Sequence, residues 1–180
     1  MNSLRLAFEK EALRQNQFRK MLGIGSQFGI LTAYLGPNSK SENKNLNTDL
    51  VVDLQTRGYR FTPLKSKWEG VRENSYLVPN MDFRDAIELG KKYGQQAVIY
   101  KDPSGVLGVY YPAEKVVEVA VKPDGDIAAE LSRDPDLYSK SRGLSFSFGV
   151  LWGQKIPWSL SRPVVKADVE GWLGDGSLAF

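Results

Sequence analysis

The chain has no cysteine and no histidine among its 180 residues. Without cysteine there is no disulfide and no thiolate nucleophile or ligand. Without histidine the commonest general base, the commonest nitrogen ligand for metals and every Ser-His or Cys-His pair are excluded. Catalysis would fall to Asp, Glu, Lys, Tyr, Ser or Arg, and a metal site would be all-oxygen, of the magnesium or calcium kind. No run approaches the ~20 apolar residues that cross a bilayer, so no transmembrane segment is expected. The N-terminal "MNSLRLAFEKEALRQNQFRK" lacks the apolar core of a signal peptide, and Glu9 and Glu11 come early; the expected location is intracellular. Internal repeats and low-complexity segments are also lacking.

What is present is ordinary for a soluble globular chain: 42% hydrophobic and 25% charged residues, with a formal charge of +3. A chain of this length buries a real core without staples. Residues 3–22 read as a basic amphipathic helix, closed by the hinge "GIGS". "QFGILTAYL" (27–35) reads as a central strand. The polar decamer "GPNSKSENKN" follows. Within it Ser39 and Glu42 fit a capping box for a helix with Leu46, Leu50, Val51 and Leu54 on its apolar face, stopped at Arg57-Gly58. "YRFTPLK" (59–65) and "RENSYLV" (72–78) read as strands joined by a turn. Asp82 is placed to cap a helix through Phe83, Ala86, Ile87 and Leu89, with Gly94 as its stop. "QQAVIY" (95–100) and "VLGVYYP" (106–112) read as a hairpin.

These elements run strand, helix, strand, strand, helix, strand, the order of the split βαββαβ, ferredoxin-like motif. The expected fold is therefore α+β, an antiparallel sheet with helices on one face. Its parts are an N-terminal helix (1–25), an α/β core (26–112) and a β-rich C-terminal extension (113–180) that packs on the core as one domain. Strands are expected at 115–121 and 144–152. The final stretch reads as an extended arm or a meandering edge.

Four polar clusters are candidates for chemistry. Asn38, Ser39, Ser41, Glu42 and Asn43 lie at a strand-to-helix junction, where free N–H groups favour anions; the plain alternative is a well-capped helix. Arg72, Glu73 and Ser75 open the strand expected beside the first. Tyr93 and Gln95 flank the turn before the fourth strand, where local bracing is the plain alternative. Lys140 and Arg142 lie in a basic loop before Phe146 and Phe148, a pattern suited to phosphate contact and base stacking. Glu42 and Glu73 are the carboxylates available for acid–base work or a magnesium ion.

Together, "TAYLGPNSKSEN", "RENSYLV" and "KKYGQQAVIY" resemble an uncharacterised family of bacterial and phage proteins. That family carries T-A-x-N-P-x-S-x-x-E-N, then E-x-S-F-L-V, then F-G-Q-x-A-V. The matching positions are Thr32, Ala33, Ser39, Glu42, Asn43, Glu73, Ser75, Tyr93, Gly94, Gln95, Ala97 and Val98, within residues 28–101. The chain departs at "G-P-N", which moves the asparagine to Asn38, and at Tyr93 in place of Phe. The resemblance implies that polar residues from three segments converge near one end of the sheet, and that the protein is phage-related, located in the cytoplasm of a bacterial host or in a virion.

Three functions follow as expectations. The first is a binding module for a nucleotide-like ligand or nucleic acid. The second is an assembly or host-interaction protein whose partner is held by residues 3–22 or 152–180. The third is an enzyme built on Glu42 and Glu73. No motif calls for a cofactor.

Overall fold

The computed structural model describes residues 3–6, 9, 27–68, 71–120, 130–131, 138–141, 144–147 and 154–177. The fold is α+β. In chain order the elements are β1 (Phe28–Leu31), α1 (Lys40–Thr56), β2 (Thr62–Trp68), β3 (Val71–Pro79), α2 (Phe83–Lys92), β4 (Val98–Lys101), β5 (Leu107–Tyr111) and β6 (Val116–Ala120). After them come β7 (Glu130–Leu131), β8 (Tyr138–Ser141), β9 (Leu144–Ser147), β10 (Ile156–Pro157) and α3 (Lys166–Gly174). All ten strands join one sheet in the order β10-β6-β5-β4-β1-β3-β2-β8-β9-β7, and every neighbouring pair is antiparallel.

Both helices of the central part start where local chemistry directs. The Ser39 hydroxyl accepts from the Glu42 N–H at 3.2 Å and the Glu42 carboxylate accepts from the Ser39 N–H at 3.1 Å, a reciprocal cap. Asp82 accepts from the Arg84 N–H at 2.8 Å. The basic Lys91 and Lys92 close α2, where they meet the negative end of its dipole. Gly90 lies where α2 crosses β4; a Cβ there would collide with Val98 Cγ2.

Side chains alternate across the sheet. One face, with Leu31, Val78, Val98, Tyr100 and Tyr110, shares a core with Leu50 and Leu54 of α1 and Ala86, Ile87 and Leu89 of α2. Phe83 sits between Tyr100 and Tyr110, edge-on to each, with centroids 5.1 and 4.8 Å away. The far face is also buried, at Phe28, Ile30, Leu64, Leu77, Leu107 and Val109.

Several boundaries differ from the sequence reading. The first strand pairs only over Phe28–Leu31, because side chains replace strand partners beyond it. The second begins at Thr62 and runs to Trp68, so "SKW" is ladder rather than turn, paired with β3 as far as Val71. The buried side of α1 is Asn43, Asn47, Leu50 and Leu54, not the expected stripe through Leu46 and Val51. In the C-terminal stretch, read as an extended arm or a meandering edge, β10 pairs with β6 and Val164 and Val169 enter the core, and a helix not expected there, α3, forms over 166–174. The Val164 N–H donates to the Tyr110 hydroxyl at 2.8 Å in the interior. Of the N-terminal helix, residues 3–6 and 9 are helical, with an Arg5–Glu9 ion pair at 3.1 Å. The rest of that helix, the "GIGS" hinge and residues 148–152 lie outside the described residues.

Candidate functional site

The polar clusters act first on the segment after β1. Thr32 to Leu35 leaves the ladder, and its backbone groups still need partners. Two asparagines one turn apart on α1 supply them. Asn47 accepts from the Ala33 N–H at 2.9 Å and donates to the Asn74 carbonyl at 3.3 Å. Asn43 accepts from the Leu35 N–H at 2.9 Å and donates to the Leu35 carbonyl at 3.1 Å. Between them, the Tyr34 carbonyl accepts from Gln95 Nε2 at 3.1 Å. Thr32 donates to the Asn74 carbonyl at 2.6 Å and accepts from the Tyr34 N–H at 3.0 Å. Side-chain amides thus do the work of a missing strand. Asn43 and Gln95 reach adjacent residues of this segment, and both are engaged by backbone.

The remaining predicted residues separate. Asn38 donates its N–H to the Leu35 carbonyl in the turn before α1. Ser39 and Glu42 are occupied by capping, and Ser41 is exposed. Tyr93 is buried and its hydroxyl bonds Asp53. Hydrogen bonds from Lys92 and Tyr93 hold the Asp53 carboxyl below its ordinary range. Ser75 is buried on the far face of β3. Glu73 lies on that same far face, where burial alone raises its carboxyl to about 7. Glu42 belongs to the helix side of the sheet, and no nearby charge contributes to the shift of Glu73. The expected carboxylate pair is therefore not formed: Glu42 is on α1, on the helix side, and strand alternation turns Glu73 to the far face. Among the described residues no group of acids could hold a metal ion. No helix among them is long and apolar enough to cross a membrane.

A different grouping emerges from the ladder register. Arg72 of β3 is paired with Lys67 of β2, which is paired with Tyr138 of β8. Asn74 is paired with Lys65, which is paired with Lys140. Paired residues share a face, and residues two apart share it as well. Arg72, Lys67, Lys65 and Lys140 therefore occupy adjoining positions on the helix side of three consecutive strands, with Tyr138 in the same row. No acid stands at the positions of β2, β3 and β8 on that face. Lys65 is exposed and has no ion-pair partner among the described residues. The half-buried Phe61 and Tyr76, edge to face at 5.3 Å, lie on the same side of β2 and β3.

Lys140 and Arg72, expected as ligand residues from separate clusters, fall on one face of the sheet on either side of β2, with Lys65 and Lys67 between them. Arg142 lies outside the described residues. Lys65, Lys67 and Asn47 were not singled out. For the lysines the signal was in "LKSKW", since Lys-x-Lys at period two puts both cations on one face of a strand.

Comparison with curated proteins found no match. Residues 36–98, from the turn before α1 to the first residue of β4, match a family described as a protein of unknown function (DUF3293).

Proposed function

We propose that the chain is a nucleic-acid-binding module, built on a split βαββαβ, ferredoxin-like core, whose phosphate contacts come from Arg72, Lys67, Lys65 and Lys140. The observation that carries this reading is the register of β3, β2 and β8, which assigns four cationic positions and one tyrosine to one face, with no acid at the positions of these three strands on it. The strand order β4-β1-β3-β2, with α1 and α2 between β1 and β2 and between β3 and β4, supports the ferredoxin-like part. Four like charges side by side repel one another, by about 1 kcal/mol for a pair at close range in water and more near a protein surface. A polyanion relieves that repulsion and gains entropy as its counterions leave. A tyrosine among the cations adds a ring on which a base can stack. The charge extends over three strands, which fits a polymer better than a single nucleotide.

The test is fluorescence anisotropy with a labelled 20-nucleotide oligomer, using the full chain. Four phosphate contacts on a single strand give a slope of log K against log salt of about −3. The affinity then falls about 50-fold between 50 and 200 mM salt. K65E/K67E should abolish binding while circular dichroism stays that of the wild type. Absence of binding at 50 mM salt, or binding that K65E/K67E leaves intact, refutes the reading.

A further inference from the structure

The charges on α1 are sorted by flank. Its buried row is Asn43, Asn47, Leu50 and Leu54. At about 3.6 residues per turn, Asp49 and Asp53 fall about 130° and 90° to one side of that row, and Lys40 and Lys44 about 50° and 90° to the other. The acidic flank faces α2, since Asp53 bonds Lys92 at 2.7 Å and also bonds Tyr93. α2 packs on β1 and β4. In the order β4-β1-β3-β2 the opposite flank of α1 therefore faces the β3–β2 side, where the four cations of the strand face lie. Lys40 and Lys44 are exposed, and neither has an ion-pair partner among the described residues.

The helix is thus the wall of a step and the strand face is its floor. Three strands span about 10 Å across the floor, and a helix about 10–12 Å thick stands beside it. Beyond β8 the floor loses its positive charge: the β9 positions on this face are Ser145 and Ser147, and Glu130 of β7, paired with Ser147, stands at its far edge. The cationic strip is therefore narrow and has cations on two surfaces that meet at an angle. A duplex is rigid and convex and reaches only the floor. A single strand turns its phosphates toward floor and wall at once and leaves its bases free to stack.

We infer that the ligand is single-stranded nucleic acid lying along the step between α1 and β2, with Lys40 and Lys44 contacting its phosphates from the wall. This deepens the proposed function and rests on it. The assay compares a labelled single-stranded 20-mer with a duplex of the same sequence, across salt, for the wild type, K40Q/K44Q and K65Q/K67Q. Six contacts give the wild type a slope of about −4 on the single strand, and K40Q/K44Q lowers its magnitude by about 1.4. At 100 mM salt the single strand should bind at least 10-fold more tightly than the duplex, and K40Q/K44Q should remove most of that preference. If K65Q/K67Q weakens binding while K40Q/K44Q leaves slope and preference unchanged, the wall fails and the floor stands. Equal affinity for duplex and single strand also overturns the inference. If a polyglutamate peptide displaces the oligomer as well as unlabelled single strand does, the face is a general polyanion site, and the inference falls. Loss of binding in neither variant overturns both readings. Lys40, Lys44 and Lys65 are exposed positions on regular elements, and thermal melts of each variant, expected within about 2 °C of the wild type, separate lost contacts from lost fold.

Discussion

Replacing Asn47 with leucine should destabilise the protein through one backbone group more than through any lost side-chain contact. Asn47 is 6% exposed and Ala33 is fully buried. The substitution keeps the branched outline of the side chain and removes the acceptor of the Ala33 N–H and a donor to the Asn74 carbonyl. The carbonyl keeps the Thr32 hydroxyl at 2.6 Å, so its loss is small. The Ala33 N–H has no substitute, and an orphaned buried donor costs about 1–3 kcal/mol. The added apolar surface returns part of that, leaving a net loss of about 2 kcal/mol, a sizeable fraction of a typical 5–15 kcal/mol stability. Urea unfolding should show a lower midpoint with an unchanged m-value. Amide exchange at Ala33 should accelerate. Asn43→Leu should cost less, about 1 kcal/mol, because Leu35 is partly open to water, which takes over its backbone bonds. The double variant should lose less than the sum, since one release already frees the segment both hold. A stability for Asn47→Leu within 0.5 kcal/mol of the wild type, or unaltered protection at Ala33, would refute the clamp.

Two further tests address other parts of the molecule. Burial raises the Glu73 carboxyl to about 7 from an ordinary 4.5. The folded state then binds the proton more tightly than the unfolded chain, so stability falls as pH rises from about 4.5 to 7 and levels off above. The ceiling is about 3 kcal/mol, and partial solvent access lowers it to about 1–2 kcal/mol. Glu73→Gln should match the wild type at pH 4 and exceed it at pH 8; equal stability at both pH values counts against a desolvated carboxylate. Tyr110→Phe leaves the buried Val164 N–H without its acceptor. The melting temperature should drop by roughly 4–8 °C, and trypsin should cut faster at Lys155 or Lys166. An unchanged cleavage rate would show that the C-terminal segment does not depend on this bond.

What was legible in the sequence follows the range of the interactions. The Ser39–Glu42 box, the Asp82 cap and the core stripe of α2 involve residues a turn apart, so spacing alone reveals them. The inner face of α1 was misread because two of its four buried residues are asparagines. A hydrophobic pattern does not register a buried amide whose partner is a strand that has left the ladder. The helix α3 was hidden behind Pro157, Pro163 and the closing glycines, and its start depends on docking: the Lys166 N–H donates to Ser104, in a turn far back in the chain. The basic face was the least accessible. Lys65-x-Lys67 shows which side of β2 carries charge, but nothing near either residue tells that β8 comes alongside and brings Lys140 into the row. Of the polar residues in the family resemblance, Thr32, Asn43 and Gln95 point at the loop because they build it.

The asparagine clamp also bears on the order of folding. Its bonds close short loops: Asn43 and Leu35 are eight residues apart, and Asn47 and Ala33 fourteen. The partners of β1 in the sheet, Leu77 and Ile99 among them, lie far along the chain. Closure entropy grows with loop length, so α1 and the end of β1 can form a docked unit before the sheet exists, with a preset edge for β3 to find. In kinetic terms Asn43→Ala should slow refolding more than it speeds unfolding. The reverse pattern would mean that the sheet assembles first and the clamp closes on it.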